Sequence, residues 1–167
     1  EHSIDATNGD RNLISQNSIH SNVLLGIDLD DDGVSLNDPS DPDNGANETI
    51  NFPVISNIVY CAGQATISGT VDISATPNTA LVEVFIALAD PSNYGEGVSY
   101  LGSATPDALG NWSLSGAGVS PYNDITATVT DINANTSEFS MNYTVPMALT
   151  LTQTHTDVSC NGASDGT

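Results

Sequence analysis

Residues 82–88 read Val82-Glu83-Val84-Phe85-Ile86-Ala87-Leu88. In an extended chain successive side chains point to opposite faces. Val82, Val84, Ile86 and Leu88 therefore share one apolar face, and Glu83 lies on the other. The same alternation returns in Ala127-Thr128-Val129-Thr130. Working outward, strands are expected near 53–59, 64–73, 80–89, 98–104, 111–116, 124–131 and 136–144, with turns every eight to twelve residues. Short strands at this spacing indicate a two-sheet antiparallel sandwich, and no heptad or 3.6-residue period competes with that.

The flanks differ in texture. Asn12, Asn17 and Asn22 recur every five residues, each with aliphatics close behind, as in Asn12-Leu13-Ile14 and Asn17-Ser18-Ile19. Segments this short cannot make a helix of any length, and they are expected as very short strands between Asn-rich turns. Residues 30–51 are dense in Asx and proline, from Asp30-Asp31-Asp32-Gly33 to Asp41-Pro42-Asp43-Asn44-Gly45, and are expected to be a loop. Met147-Ala148-Leu149-Thr150-Leu151-Thr152 alternates again as a strand.

These pieces resemble modules of bacterial surface proteins. The Asn period closing in Gly26-Ile27-Asp28-Leu29 is similar to the end of a right-handed parallel β-helix. Ile67-Ser68-Gly69-Thr70, Tyr94-Gly95-Glu96-Gly97, Tyr100-Leu101-Gly102-Ser103 and Asn135-Thr136-Ser137-Glu138-Phe139-Ser140 resemble the Ig-like sandwich modules that follow such helices. Asp157-Val158-Ser159-Cys160-Asn161-Gly162 resembles the opening of the repeats of gliding-type adhesins. The expected fold is all-β, an Ig-like antiparallel β-sandwich preceded by a short β-solenoid-like segment. Its parts are a terminal coil at 1–29, an acidic loop at 30–51, the sandwich at 52–145, and a strand with the start of a further repeat at 146–167. The sequence opens at Glu1 in the middle of what reads as a repeat, so a mature fragment of a longer protein is expected.

Charge narrows the function classes. Twenty-one acidic residues face one basic residue, Arg11, and the formal net charge is -20. Such a surface repels nucleic-acid phosphates and anionic membranes, and neither is expected as a partner. It attracts divalent cations, although solubility alone is the blander explanation. The 28–43 stretch is different, because seven of its sixteen residues are Asp. Asp28-x-Asp30-x-Asp32-Gly33 places alternate carboxylates on a loop that bends at glycine, as Ca²⁺ sites do. The position of the bidentate Glu in an EF-hand is Pro39 here, so Asp38, Asp41 and Asp43 are the candidates for the remaining ligands, with Asn44. A solvated acidic turn is the alternative. Asp131, Asn133, Asn135 and Glu138 form a second oxygen-rich loop, equally consistent with an ordinary hairpin turn.

Catalytic patterns are missing from the sequence. His2, His20 and His155 are scattered, no Ser/His/Asp or Cys/His arrangement can be built, and no enzyme is expected. Trp112, Tyr94, Tyr100 and Tyr122 are candidates for an aromatic sugar platform, the mark of a carbohydrate-binding module of a secreted polysaccharide-degrading enzyme. Cys61 and Cys160 either pair or have partners elsewhere; the adhesin-repeat resemblance implies a partner for Cys160 beyond Thr167. The leading expectation is a structural or adhesive module on the bacterial cell surface, self-associating by strand donation, with Ca²⁺ as the candidate ion. A glycan is the alternative ligand.

Overall fold

The computed structural model describes residues 4–6 and 9–147. Its strands are β1 (Ile4–Ala6), β2 (Ile27–Leu29), β3 (Val54–Cys61), β4 (Gln64–Thr70), β5 (Leu81–Leu88), β6 (Glu96–Ala104), β7 (Asn111–Gly118), β8 (Asp124–Thr130) and β9 (Tyr143–Thr144). β5 contains the 82–88 run and is hydrogen-bonded on both sides in the sheet β6-β5-β8-β9. A second antiparallel sheet has the order β3-β4-β7. The chain passes between the sheets from β4 to β5, from β6 to β7 and from β7 to β8, so it crosses repeatedly between two layers as in a sandwich. β1 and β2 form a separate parallel pair with Ile4 opposite Ile27.

One core lies between the sheets. Ile55, Ile58 and Ile67 meet Val82, Val84, Ile125, Ala127 and Val129 there, and Trp112 is buried among them. The expected inward face of β5 is thus confirmed at Val82 and Val84. The opposite face of the same sheet is also covered. Glu83, Phe85, Thr126, Thr128 and Thr130 all point away from the inter-sheet core, yet each is buried. The cover is residues 9–29 together with the 131–140 stretch. Ile14, Ile19, Ile27, Leu29 and Ala46 pack there against Phe85 and Phe139, whose rings meet edge to face with centroids 5.6 Å apart. Burial of each large aliphatic contributes roughly 1.5–3 kcal/mol as an upper figure. Gly97 makes the close approach possible: its carbonyl accepts the Ile19 N–H at 2.8 Å, and a Cβ would stand 2.8 Å from the Phe139 ring.

Two expectations are corrected. Residues 9–26 contain no strand, so the short strands expected within the Asn period do not form. Arg11, Gln16 and Ser21 have positive φ (66°, 53° and 63°), and an αL residue every fifth position prevents an extended run. The strand expected over 136–144 contracts to Tyr143–Thr144. Upstream, the amides of Val129 and Ala127 donate to the hydroxyls of Ser137 and Ser140 instead of to carbonyls, which breaks the regular ladder. Residues 30–51 are irregular as expected, apart from one tight turn over Ala46–Thr49 in which Asn47 and Glu48 have φ of 50° and 57°. Among the described residues, no helix is long and apolar enough to cross a membrane. The strand expected at 147–154 lies outside the described residues apart from Met147.

Candidate functional site

A residue in αL turns its own amide and its neighbour's in a common direction, which makes a small anion-accepting concavity. In residues 9–26 this occurs immediately before each Asn of the five-residue period. The Arg11 N–H donates to Asn135 Oδ1 at 2.7 Å, the Gln16 N–H to Glu83 Oε2 at 3.0 Å, and the Ser21 N–H to Glu96 Oε2 at 2.6 Å. Adjacent donors complete two of the three contacts. Asn22 N–H reaches Glu96 Oε1 at 2.9 Å, and the Ser15 hydroxyl reaches Glu83 Oε1 at 2.8 Å. Beside Arg11, the Asn12 N–H donates to Asn47 Oδ1 at 2.8 Å, while Asn47 Nδ2 donates to the carbonyls of Asn12 and Thr136. A non-glycine residue in αL costs about 1–2 kcal/mol; a hydrogen bond to a carboxylate contributes about 1.5–3 and one to a neutral amide about 0.5–1.5, so the contacts at Gln16 and Ser21 offset the backbone strain and that at Arg11 reduces it.

Glu138 extends the pattern past β2. Its Oε1 accepts the Leu29 N–H at 2.9 Å and its Oε2 the Ser35 N–H at 3.0 Å. Burial pushes the Glu138 carboxyl up to about 7, and the nearby charge of Asp28 adds to this against the two amides. Three buried glutamates from the sandwich therefore hold the main chain that lies over it. The sequence alone assigns Glu83 and Glu96 no role. The available signal was a carboxylate inside the apolar run of β5 and another in Tyr94-Gly95-Glu96-Gly97.

The acidic loop divides in two. Asp28 is buried and accepts the Gly33 N–H at 3.2 Å. Burial raises its carboxyl above the usual range, with Asp31 and Asp32 adding to the effect and backbone amides opposing it. Asp30 turns to the Ala46 N–H and the Thr49 hydroxyl, and Asp32 is exposed. In the second half, Asp41 is buried between the Asn51 and Ser74 amides, both at 2.9 Å, and Asp43 is exposed. Asp38 Oδ1 is buried with no hydrogen-bond partner. Desolvation, then the charges of Asp43, Asp41 and Asp72, hold the Asp38 carboxyl above its ordinary value. Asp28 and Asp32 thus share one electrostatic environment while Asp30 turns to Ala46 and Thr49, and Asp38, Asp41 and Asp43 share another. Among the described residues, no group of three or more His, Cys, Asp or Glu side chains is placed to hold a metal ion as it stands.

The other candidates are dispersed. Asp131 is saturated by its own turn, accepting the Asn133 and Asn135 amides at 2.9 and 2.8 Å. Trp112 is in the inter-sheet core, Tyr94 packs on Phe52, Tyr100 packs on Phe85, and Tyr122 is exposed, so the four aromatics form no common platform. His20 is exposed beside Ser21, while His2 and His155 lie outside the described residues. Cys61 is exposed at the end of β3; Cys160, and with it the expected pairing, lies outside the described residues. No protein-family model matches the chain.

Two outcomes follow from the glutamate contacts. Glu83→Ala leaves the Gln16 amide and Ser15 hydroxyl without acceptors, at a cost of about 1–3 kcal/mol. Hydrogen exchange should accelerate at residues 14–22 before it does in β5 and β8; uniform acceleration throughout the sandwich would contradict the docking role. Glu138 binds its proton more tightly folded than unfolded, so its stabilisation is complete below its ordinary pKa and is lost as pH rises through about 7. Glu138→Gln removes that titration. Denaturant unfolding at pH 5 and pH 8 should show the variant gaining on the wild type at the higher pH by on the order of 3 kcal/mol. A pH-independent difference would mean that Glu138 does not titrate in this window.

Proposed function

We propose that the protein is a structural or adhesive module of a bacterial cell-surface protein, in which an Ig-like sandwich is joined to a preceding segment that it clasps. The observation that carries this is the use of the buried carboxylates. Glu83, Glu96 and Glu138 each give both oxygens to the N-terminal part of the chain, so they serve cohesion rather than chemistry on a substrate. The arrangement β3-β4-β7 against β6-β5-β8-β9, with repeated crossings between layers, supports the Ig-like description. The parallel β1–β2 pair, closed by one long connection, supports a coil-like start, and a net charge of -20 suits a soluble surface facing the medium. The uncharged, alternating 147–154 segment supports self-association by strand addition.

Self-association is tested on the full chain by sedimentation velocity over a wide concentration range, with negative-stain microscopy of the heaviest fractions. The expected result is a concentration-dependent oligomer series that Leu149→Asp/Leu151→Asp eliminates without lowering the melting temperature. A wild-type chain that is monomeric throughout overturns this part of the proposal.

We propose the second half of the acidic loop as the calcium site. Ca²⁺ takes six to eight oxygens, and the partnerless Asp38 Oδ1, with Asp41 and Asp43 close by, fits a hard cation. The ion would offset the desolvation and then the repulsion that raise the Asp38 carboxyl, and binding only to the folded state adds about 2.7 kcal/mol at a hundredfold excess over Kd. Melting with calcium and with a chelator should differ by several degrees, and Asp38→Asn should remove the difference. Equal midpoints in the wild type defeat the assignment.

A further inference from the structure

Among the described residues, strands close the sandwich on one side. β6 and β7 follow one another and lie against each other across the two layers, whereas β3 and β9 are the outermost strands at the opposite side. Among the described residues β3 pairs with β4 alone and β9 has two residues, so no described strand bridges the gap between these edges. A cavity of about 350 Å³ opens there, lined by Leu36, Phe52, Val54, Ile55, Met141 and Tyr143 among others, with no charged residue among the described residues of its wall. Leu36, Val54 and Met141 are 69%, 49% and 58% exposed. An apolar patch beside a free strand edge is a template for an added strand. A bulge between Ile55 and Asn57 is the only irregularity along β3.

We propose that this cavity and the free edge of β3 accept residues 147–154 of a second copy of the chain as an additional strand. The proposal rests on the self-association put forward above and locates its acceptor. Three observations select this occupant. Two chains of net charge -20 repel, so contact is favoured where neither surface is charged; the cavity wall and Met147-Ala148-Leu149-Thr150-Leu151-Thr152-Gln153-Thr154 both satisfy this. The alternation gives Leu149 and Leu151 a common face to enter an apolar groove while the backbone pairs with β3. The chain's own direction also leads away from the cavity. From Met141 at the cavity it runs through Val145, which is bonded to Asn123 and Tyr122, to Met147 beside the Tyr122 hydroxyl at the β7–β8 turn. After Pro146 there is no Gly, Asn or Asp before Asp157 to reverse it.

The test uses full-length chains with Cys61→Ser and Cys160→Ser, one set carrying Val54→Cys and the other Leu149→Cys or Leu151→Cys. On mixing under mild oxidation, a mixed 54–149 or 54–151 dimer should form at least tenfold faster than either homodimer. In the otherwise wild-type chain, Val54→Asp/Met141→Asp should weaken association at least tenfold, with the buried Trp112 emission unchanged as a check on folding. If a chain carrying both cysteines instead closes on itself as a monomer, the segment completes its own sandwich and the proposal is overturned. If neither disulfide forms while the wild type still associates, the groove is wrong and self-association stands. If the wild type is also monomeric, both fall.

Discussion

A main-chain amide outside a ladder must find an acceptor or lose the free energy of its hydration, and residues 9–35 contain many such amides. The sandwich supplies the acceptors from side chains standing on one face of a single sheet and the loops beside it. Asn135, Glu83 and Glu96 meet Arg11, Gln16 and Ser21 in order, and Glu138 meets Leu29 and Ser35. The rest of the architecture depends on this. Without the clasped layer, Glu83 and Phe85 of β5 would stand on an exposed outer face of the four-stranded sheet, and Phe139 beside it would lose its cover. With it, that sheet is buried on both sides and a second apolar cluster exists beneath the N-terminal segment.

Much of the sandwich could be read directly because a period of two is a strong signal when one face is packed. β4, β5, β7 and β8 begin within a residue of where alternation and turn residues place them. The last strand was overestimated because Ser137 and Ser140 put hydroxyls where carbonyls belong, and a pattern of apolar and polar residues does not distinguish the two. The Asn period was a true signal with another physical meaning. It marks αL turns rather than strands, and φ at Arg11, Gln16 and Ser21 is not encoded by a glycine at any of them. These residues hold αL because their amides find acceptors on a surface distant in sequence.

The same reasoning explains what was legible at the candidate site. The density of Asp in 28–43 was visible, but which carboxylates share an environment was not. Asp30 and Asp41 are committed to backbone amides, and only the fold brings Asp72 toward Asp38. Glu83 reads as the polar side of an alternating strand and is in fact almost wholly buried. A residue's face can be inferred from its own strand, but what covers that face is decided by a segment some seventy positions away.

The five-residue spacing of the clasps has a mechanical consequence. Tension applied to the N-terminal end first meets the short β1–β2 pair, and beyond it the contacts at Arg11, Gln16 and Ser21 stand in series. Hydrogen bonds loaded one after another yield singly, unlike a long ladder sheared all at once. Each release frees five residues, and so lets out at most about 17 Å of chain. Under such tension the layer would lengthen in small increments, each resisted by one clasp and by the packing of Ile14 and Ile19, before load reached the doubly packed sheet beneath it.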